Sequence, residues 1–288
     1  MQATLIGLTA ILMWSLLALL TVASGRVPPF QLAAMTFAIG ACVGPLTWIF
    51  RGEGFRAMRQ PAVAWLVGVV GLFGYHALYF ISLRNAPPAE AGLVNYLWPL
   101  LIVLFSAFLP GEKLMRHHVI GALLGLAGTV VLFAGRGISG FEWRYAPGFL
   151  AAFVAAFVWA IYSVLSRRLA HVPTDAVAGF CAATAVLAAI CHLLIETTVW
   201  PETTGQWLAV LALGIGPVGA AFYTWDVGMK RGDIRVIGAA SYATPLVSTA
   251  FLILAGFAEA TATLALAALL IGGGGLIAAR DLLFGKRG

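Results

Sequence analysis

The stretch from Ala91 to Leu100 reads A-G-L-V-N-Y-L-W-P-L and decides how the rest of the chain is interpreted. It lies inside a long apolar segment, yet an amide, a phenol, an indole and a proline fall between Asn95 and Pro99. Pro99 has no N–H and its ring clashes with the preceding helical turn, so we expect a kink and an unpaired carbonyl near Asn95. In lipid such a defect is tolerated only against protein or a watery cavity. The stretch is therefore not typical of a passive anchor.

A second copy of this pattern, G-A-A-S-Y-A-T-P-L, runs from Gly238 to Leu246 at an offset of 146 residues. Other residues keep nearly the same spacing, at offsets of 145 to 147. The matched pairs are Gly92 and Gly238, Asn95 and Ser241, Tyr96 and Tyr242, Pro99 and Pro245, Trp14 and Trp159, Gly71 and Gly216, Gly74 and Gly219, and Glu112 and Glu259. Because rare residue types stay in step, we predict two repeats, residues 1–140 and 141–288, which together form one membrane domain.

The composition predicts an all-α polytopic membrane protein. Hydrophobic residues make up 61% of the 288-residue chain and charged residues 10%, with a mean hydropathy of +0.97, whereas soluble proteins are about 25% charged. A spanning helix needs about 20 mostly apolar residues, and ten segments qualify. They are Ala3 to Ala23, Phe30 to Phe50, Pro61 to Leu83, Ala89 to Leu109, His118 to Ala134, Pro147 to Leu169, Asp175 to Ile195, Gly205 to Met229, Val236 to Phe257 and Thr261 to Leu283.

Ten spans in two repeats make an inverted arrangement, because each repeat has an odd number of spans. Transporters use this arrangement, with a site near the bilayer midplane between the halves. The loops on the side of the termini hold 13 of the 17 Lys and Arg residues, and the other side holds four. The excess of basic residues in cytoplasmic loops therefore predicts that both termini are cytoplasmic.

Enzyme chemistry is not indicated. The spans contain no acidic pair, and the chain shows no metal-ligand spacing, phosphate-binding loop or Ser-His-Asp set. We therefore expect no catalytic residue, no cofactor and no metal. The basic residues are confined to short loops between spans, which argues against nucleic acid as a partner. The expected partners are the bilayer and a small-molecule substrate, and the pattern specifies no oligomeric state.

Aromatic and polar residues within the spans define a candidate substrate site. His76 and Tyr79 share a face of the third span, and ionisable residues inside a membrane usually face a bundle interior or a water path. The alternative for His76 is a neutral ring bonded to a neighbouring helix. Trp14 and Trp159 lie in mid-span, which favours cavity lining over an interfacial belt. The predicted lining residues are Trp14, His76, Tyr79, Asn95, Tyr96, Trp98, Trp159, Ser241 and Tyr242, with Pro99 and Pro245 as hinges.

Several other residues receive structural interpretations. We expect Glu112 and Glu259 in solvated turns that cap the next helix, and Asp226 in an ion pair with Lys230 at the membrane surface. The small-residue faces Gly121, Gly125 and Gly128, and Gly272 to Gly275, are expected to pack the fifth and tenth helices together. The predicted interfacial tryptophans are Trp48, Trp65, Trp143, Trp200 and Trp207.

The repeat, the mid-span tryptophans and the glutamate turns resemble the drug/metabolite transporter (DMT) superfamily, of the EamA type, over essentially the whole chain. The stretches Ala3 to Ser15, Val94 to Pro99 and Ser241 to Pro245 are similar to its bacterial aromatic amino-acid exporters. The resemblance implies the ten-helix DMT fold and an inner-membrane location. It also implies outward movement of Phe, Tyr, Trp, other apolar amino acids or related metabolites through a central cavity, with alternating access as the mechanism.

Three further functions stay open at this point. A broad exporter of cationic drugs or metabolites would be expected to carry a buried carboxylate, and none is evident in a span; transport of phosphorylated sugars would need buried Lys or Arg. A membrane scaffold without transport would not need two kinked helices. With no Asp or Glu evident inside a span, downhill facilitated export is the simplest form of energy coupling. His76 is the residue that would couple transport to protons instead.

Overall fold

The computed structural model describes residues 1–51, 54–135, 142–254, 256 and 260–284, without the side chains of 47–51, 54 and 282. All regular structure within these residues is helical, which confirms the predicted class. Nine helices in the described part of the chain are long and apolar enough to cross a membrane, and a tenth, shorter apolar helix has 17 residues. The ten are α1 Gln2–Ala23, α2 Pro29–Arg51, α3 Ala62–Asn85, α4 Pro88–Phe108, α5 Arg116–Ala134, α6 Trp143–Arg168, α7 Thr174–Ile195, α8 Thr204–Arg231, α9 Ile234–Leu254 and α10 Ala262–Ala278, followed by α11 Arg280–Phe284.

The two predicted kinks are real interruptions of α4 and α9. Each proline lies near the start of the second half of its helix, where a missing N–H costs little. The break therefore falls just before the proline, at Tyr96 and Leu97 in α4 and at Ser241 and Tyr242 in α9. The halves are Pro88–Asn95 and Trp98–Phe105, and Ile234–Ala240 and Ala243–Leu254.

Two irregularities were not predicted from the sequence. The segments Val70–Gly74 in α3 and Gly216–Ala220 in α8 are single π-helical turns at repeat-related positions. Such turns occur within α-helices at functional sites and displace backbone carbonyls from their usual donors. Helix α1 also breaks at Leu16, whereas its repeat partner is continuous over Ala146–Arg168.

The helix packing repeats itself in the way that two related halves require. Helix α1 packs on α8 as α6 packs on α3, and α4 packs on α6 as α9 packs on α1. Helix α2 packs on α8 as α7 packs on α3, and the pairs α2 with α7, α5 with α10 and α4 with α9 each join a helix to its own repeat partner. The predicted boundary between the repeats, at residue 140, lies outside the described residues.

Helix ends and turns separate onto two faces. At one, called the terminal face, the Asp233 N–H donates to the Thr4 hydroxyl near the N-terminus, and Arg235 donates to the carbonyl of Lys113. At the opposite, distal face, the carboxylate of Glu196 accepts the N–H of Phe30. This alternation agrees with ten spans, and the side of the membrane on which each face lies remains a prediction.

Close packing of α5 on α10 uses only part of the predicted glycine set. A Cβ built on Gly121 would lie 2.5 Å from the carbonyl oxygen of Gly274, and one built on Gly128 would lie 2.7 Å from the side chain of Ile271. Gly125 instead faces the ring of Tyr242 on α9. The prediction that the whole glycine run of α10 packs on α5 is wrong for three residues, because a Cβ added to them would meet nothing within 4 Å. These residues are Gly272, Gly273 and Gly275.

The tryptophans at helix ends differ in their exposure. Trp143, Trp200 and Trp207 are exposed, as expected of interfacial residues. Trp65 differs from these three, since its ring is half-buried and packs edge-on at 5.4 Å from the ring of Phe180, because α3 presents it to α7. The side chain of Trp48 lies outside the described set.

Candidate functional site

Four tryptophan rings meet in the middle of the molecule. Trp14, Trp98 and Trp159, which the sequence analysis singled out, are joined by Trp225 from α8. Each ring centroid lies between 4.9 and 6.5 Å from those of the other three, and all four side chains are buried. Edge-on and tilted ring pairs of this kind stabilise a core beyond their buried area. The mid-span tryptophans are therefore core residues of one aromatic cluster rather than interfacial ones.

Trp225 is a site residue that the sequence analysis missed. Its indole N–H donates to the hydroxyl of Ser163 at 3.1 Å, which fixes the ring between α6 and α8. The neighbouring Phe222 lies 6.0 Å from the rings of both Trp14 and His76. The repeat could have pointed to Trp225, because its partner at the offset of 145 residues, Phe80, is also aromatic.

Helix α3 places two tyrosines beside this tryptophan cluster. The ring of Tyr75 lies 5.0 Å from that of Trp159 and stacks on Tyr79 at 6.1 Å. Both tyrosine side chains remain partly exposed, although they lie in the middle of a spanning helix. This combination indicates that they border an open space inside the protein.

Asn95 reaches the same place from the end of the first half of α4. Its amide NH2 donates to the hydroxyl of Tyr75 at 3.0 Å. The side chain is 3% exposed, yet its Oδ1 atom has no hydrogen-bond partner among the described residues. The backbone carbonyl of Asn95 also lacks its usual helical donor, because the residue four positions later is Pro99. Two acceptor oxygens of one residue are thus left for a ligand.

His76 is held by the π-helical turn of α3. Its Nδ1 lies 2.7 Å from the carbonyl oxygen of Leu72, so the proton sits on Nδ1 and Nε2 is left as an acceptor. The ring packs edge-on against Phe37 at 5.0 Å. In the second repeat the matching carbonyl, that of Pro217, accepts the indole N–H of Trp14 at 3.0 Å. The two π-helical turns therefore each offer a carbonyl to a ring N–H, but only the first holds a histidine.

Three of the predicted lining residues lie elsewhere. Tyr96 and Tyr242 belong to a second cluster against α5, where Tyr96 packs 5.9 Å from Phe133. Tyr242 is fully buried, and the hydroxyl of buried Ser241 donates to the carbonyl of Ile237 in its own helix at 2.8 Å. The structure thus brings together Trp14, His76, Tyr79, Asn95, Trp98 and Trp159, but not Tyr96, Ser241 and Tyr242.

Glu112 is not in a solvated turn, which corrects the sequence interpretation. Its carboxylate forms ion pairs with Arg167 at the end of α6 and with Arg235 at the start of α9. Arg167 also donates to the carbonyl of Gly232 at 2.7 Å. Contacts between turns that are distant in sequence shield most of this side chain, which is 12% exposed. Its repeat partner, Glu259, lies outside the described residues.

Asp233 completes this network at the terminal face. Partial burial raises the pKa of its carboxyl, but hydrogen bonds from the Arg235 side chain and the charge of that guanidinium lower it more. The backbone N–H of Val236 also donates to it. The net pKa lies below the usual value, so Asp233 is ionised at neutral pH and the network ties three turns together.

Three carboxylates inside the spanning helices are buried, those of Glu90, Asp175 and Asp226, which corrects the expectation that none is evident there. Asp226 forms the predicted ion pair with Lys230, at 2.8 Å, but both side chains are shielded from solvent. Thr174 donates to Asp226 and Lys230 donates to the carbonyl of Val172, so the pair joins α8 to the loop before α7 and to α7. Glu90 is buried in the first turn of α4.

The fold also gathers His117, His118 and Asp281, although their positions in sequence show no metal-ligand spacing. One ligand atom from each lies within 4.8 Å of the others. The contacts already present account for this group. His117 Nε2 lies 3.1 Å from the Asp281 carboxylate, and His118 Nδ1 accepts the N–H of Met115 at the start of α5.

Comparison with known proteins gives one family and several relatives. The sequence profile of the EamA-like transporter family matches residues 1–134 and 146–280. The aromatic amino acid exporter YddG of Ancylobacter novellus is 61% identical over 278 residues, 96% of each chain. The exporter of that name in Escherichia coli is 28% identical over 86% of this chain and 87% of its own. A solved crystal structure 59% identical in sequence has a TM-score of 0.94, covering 99% of both chains.

Proposed function

Because this chain belongs to the EamA-like transporter family, we propose that it exports aromatic amino acids across a bacterial inner membrane. The observation that carries this proposal is the buried, unpartnered Oδ1 of Asn95 beside the rings of Tyr75, Tyr79 and Trp159. A buried acceptor without a donor costs free energy, about 1–3 kcal/mol. A ligand that supplies both a donor and a flat apolar ring is the natural occupant.

The ammonium group of the substrate is assigned to Asn95. Its Oδ1 and its backbone carbonyl are both acceptors without a partner from the helix, and Nε2 of His76 is a further acceptor on the facing helix. Tyrosine and tryptophan faces also attract cations. The site therefore offers only neutral acceptors and aromatic rings to the positive charge of the ligand. This suits a zwitterion better than a permanently cationic drug.

The aromatic side chain of the substrate is assigned to the partly exposed faces of Tyr75 and Tyr79. Trp159 extends this surface, since its ring lies 5.0 Å from that of Tyr75. Offset or edge-on stacking adds about 1 kcal/mol per ring beyond the buried area. Phe, Tyr and Trp gain this contribution and small aliphatic amino acids do not. Membership of a transporter family supports this assignment over a scaffold function.

Alternating access is the proposed mechanism. The buried tryptophan cluster fills the middle of the molecule, and ion pairs lie beyond it at the terminal face. On that face the pairs of Glu112 with Arg167 and Arg235 hold the ends of α6 and α9 together. We propose that this conformation is closed toward the terminal face, the cytoplasmic side. Opening then breaks the Glu112 ion pairs while α4 and α9 flex at their interruptions.

Flux of radiolabelled phenylalanine and alanine in liposomes tests the proposal, with the parent and Asn95→Leu compared at equal protein content. We expect phenylalanine flux in the parent, and a loss of roughly tenfold or more in the variant, the factor that about 1.4 kcal/mol of binding represents. Thr9→Val, which removes an exposed hydroxyl bonded only within α1, serves as the control. Parent liposomes without phenylalanine flux would refute the function. Equal flux in parent and Asn95→Leu would refute the site alone.

A further inference from the structure

An open cavity of about 780 Å³ lies on the terminal face, where α4, α6 and α8 end side by side. We call it the basic basin. Four of its seven lining residues are cations. The lining residues are Leu109, Pro110, Arg167, Arg168, Ala170, Lys230 and Arg231.

Two of the four cations in the basic basin are not neutralised. Arg167 is paired with Glu112 and Lys230 with Asp226. Arg168 donates to the neutral carbonyl of Phe108 at 2.7 Å. In the described part of the chain no carboxylate lies within ion-pair distance of Arg168 or Arg231, and both side chains are exposed. The basin therefore presents a net positive charge to whatever fills it.

A row of phenyl rings leads away from the basin along α4 and α6. Successive ring centroids lie 6.4, 5.8 and 4.7 Å apart in the order Phe108, Phe105, Phe157 and Phe153. The two end members are exposed, by 72% for Phe108 and 43% for Phe153. Since α6 rises 1.5 Å per residue, Phe157 lies about 16 Å along the helix from Arg168. The phenyl row thus begins at the basin and runs along the membrane-spanning surface.

We propose that the basic basin binds the phosphate headgroup of an anionic membrane lipid, with an acyl chain lying along the phenyl row. Guanidinium groups match the geometry of phosphate oxygens. Basic pockets between membrane helices recognise such headgroups. The continuity of the basin with the phenyl row favours a lipid over a free anion, because a soluble phosphate has no apolar part to place there. The bound lipid joins the ends of three helices that belong to both repeats.

Thermal unfolding of the full chain in mixed micelles tests the lipid site. Phosphatidylglycerol is titrated into neutral detergent, with phosphatidylcholine and inorganic phosphate in separate arms. We expect phosphatidylglycerol alone to raise the unfolding midpoint of the parent. In Arg168→Gln/Arg231→Gln the concentration of half-maximal effect should rise by roughly 30-fold, as expected for two cations at about 1 kcal/mol each.

A matched control is Arg56→Gln/Arg59→Gln, which removes two exposed charges from the same face outside the basin. It should respond to phosphatidylglycerol as the parent does. If the basin variant does not fold, Arg231→Gln alone, which removes no hydrogen bond recorded in the described residues, should show a five- to tenfold effect. The lipid site is refuted if phosphatidylcholine or inorganic phosphate stabilises equally. An unchanged titration in the basin variants refutes it as well.

Discussion

The hydroxyl of Tyr242 accepts the backbone N–H of Leu100 at 3.2 Å, across the two repeats. In an uninterrupted helix this N–H would bond to the carbonyl four residues earlier, that of Tyr96, which lies in the break of α4. A tyrosine at the break of α9 thus satisfies a donor that the break of α4 leaves open. The two interruptions are physically joined, so a change at one bears directly on the other.

Tyr242→Phe should destabilise the protein without changing its selectivity. The substitution keeps the buried ring but leaves the Leu100 N–H without a partner, at a cost of about 1–3 kcal/mol. Thermal unfolding should show a lower midpoint, while the ratio of phenylalanine to alanine flux in liposomes stays at the parental value. Tyr145→Phe, at the distal end of α6, is the matched control. A changed flux ratio with unchanged stability would place Tyr242 in the substrate site.

Pro99→Ala and Pro245→Ala should each slow transport more than they weaken binding. Alanine restores an N–H and with it a helical hydrogen bond, which stiffens the interrupted helix. We expect a lower maximal flux in both variants, with nearly parental half-saturation for phenylalanine in Pro245→Ala and a weaker one in Pro99→Ala, whose new N–H occupies the Asn95 carbonyl. Pro61→Ala, at the N-terminal boundary of α3, controls for proline replacement. Parental flux in both interruption variants would argue against a hinge at either site.

Tyr79→Ala and Tyr96→Ala should have different effects on substrate selectivity, although both residues are tyrosines within spans. Tyr79 stacks on Tyr75 in the proposed site wall, so its loss should weaken the apparent affinity for phenylalanine and tryptophan about five- to tenfold and leave that for alanine unaffected. Tyr96 packs toward Phe133, so its loss should affect all substrates alike. Competition between these substrates in liposome flux assays measures the apparent affinities of both variants. The site wall is misassigned if Tyr96→Ala proves to be the selective variant.

His76→Gln tests energy coupling. The Nδ1–H of His76 already donates to the Leu72 carbonyl, and glutamine offers a donor and an acceptor but cannot titrate. For downhill export we expect parental phenylalanine flux at every pH between 5.5 and 8. His76→Leu, which lacks both polar groups, should lose flux at all pH values. Loss of a pH dependence that the parent shows would instead identify His76 as a proton carrier.

The orientation is tested with single cysteines in a background in which Cys42, Cys181 and Cys191 are replaced by alanine. A cysteine replacing the exposed Glu202, on the distal face, should react with an impermeant thiol reagent applied to intact cells. A cysteine replacing the exposed Arg59, on the terminal face, should react only after lysis. Labelling in the reverse order would show that the termini are outside.

The sequence by itself determined the features that depend on local chemistry. Hydropathy over about 20 residues determines a span wherever it occurs, and the number of spans followed from that. A proline removes its own N–H whatever surrounds it, so the interruptions of α4 and α9 were predictable from Pro99 and Pro245. The repeat followed from the offset of rare residues. Asn95 and Trp14 could be singled out because polar and aromatic groups in mid-span are unusual.

Only the tertiary structure decided which side chains meet. Rotating a helix by about 100°, the angle of one residue, exchanges a core position for one that faces a different neighbour. Hydropathy cannot detect that exchange when every face is apolar. For this reason Tyr96 and Tyr242 lie against α5 and not beside Trp159, and Trp225 completes the tryptophan cluster. Glu112 looked like a residue of a solvated turn because its two arginine partners are distant in sequence, and only the folded chain brings them to its carboxylate.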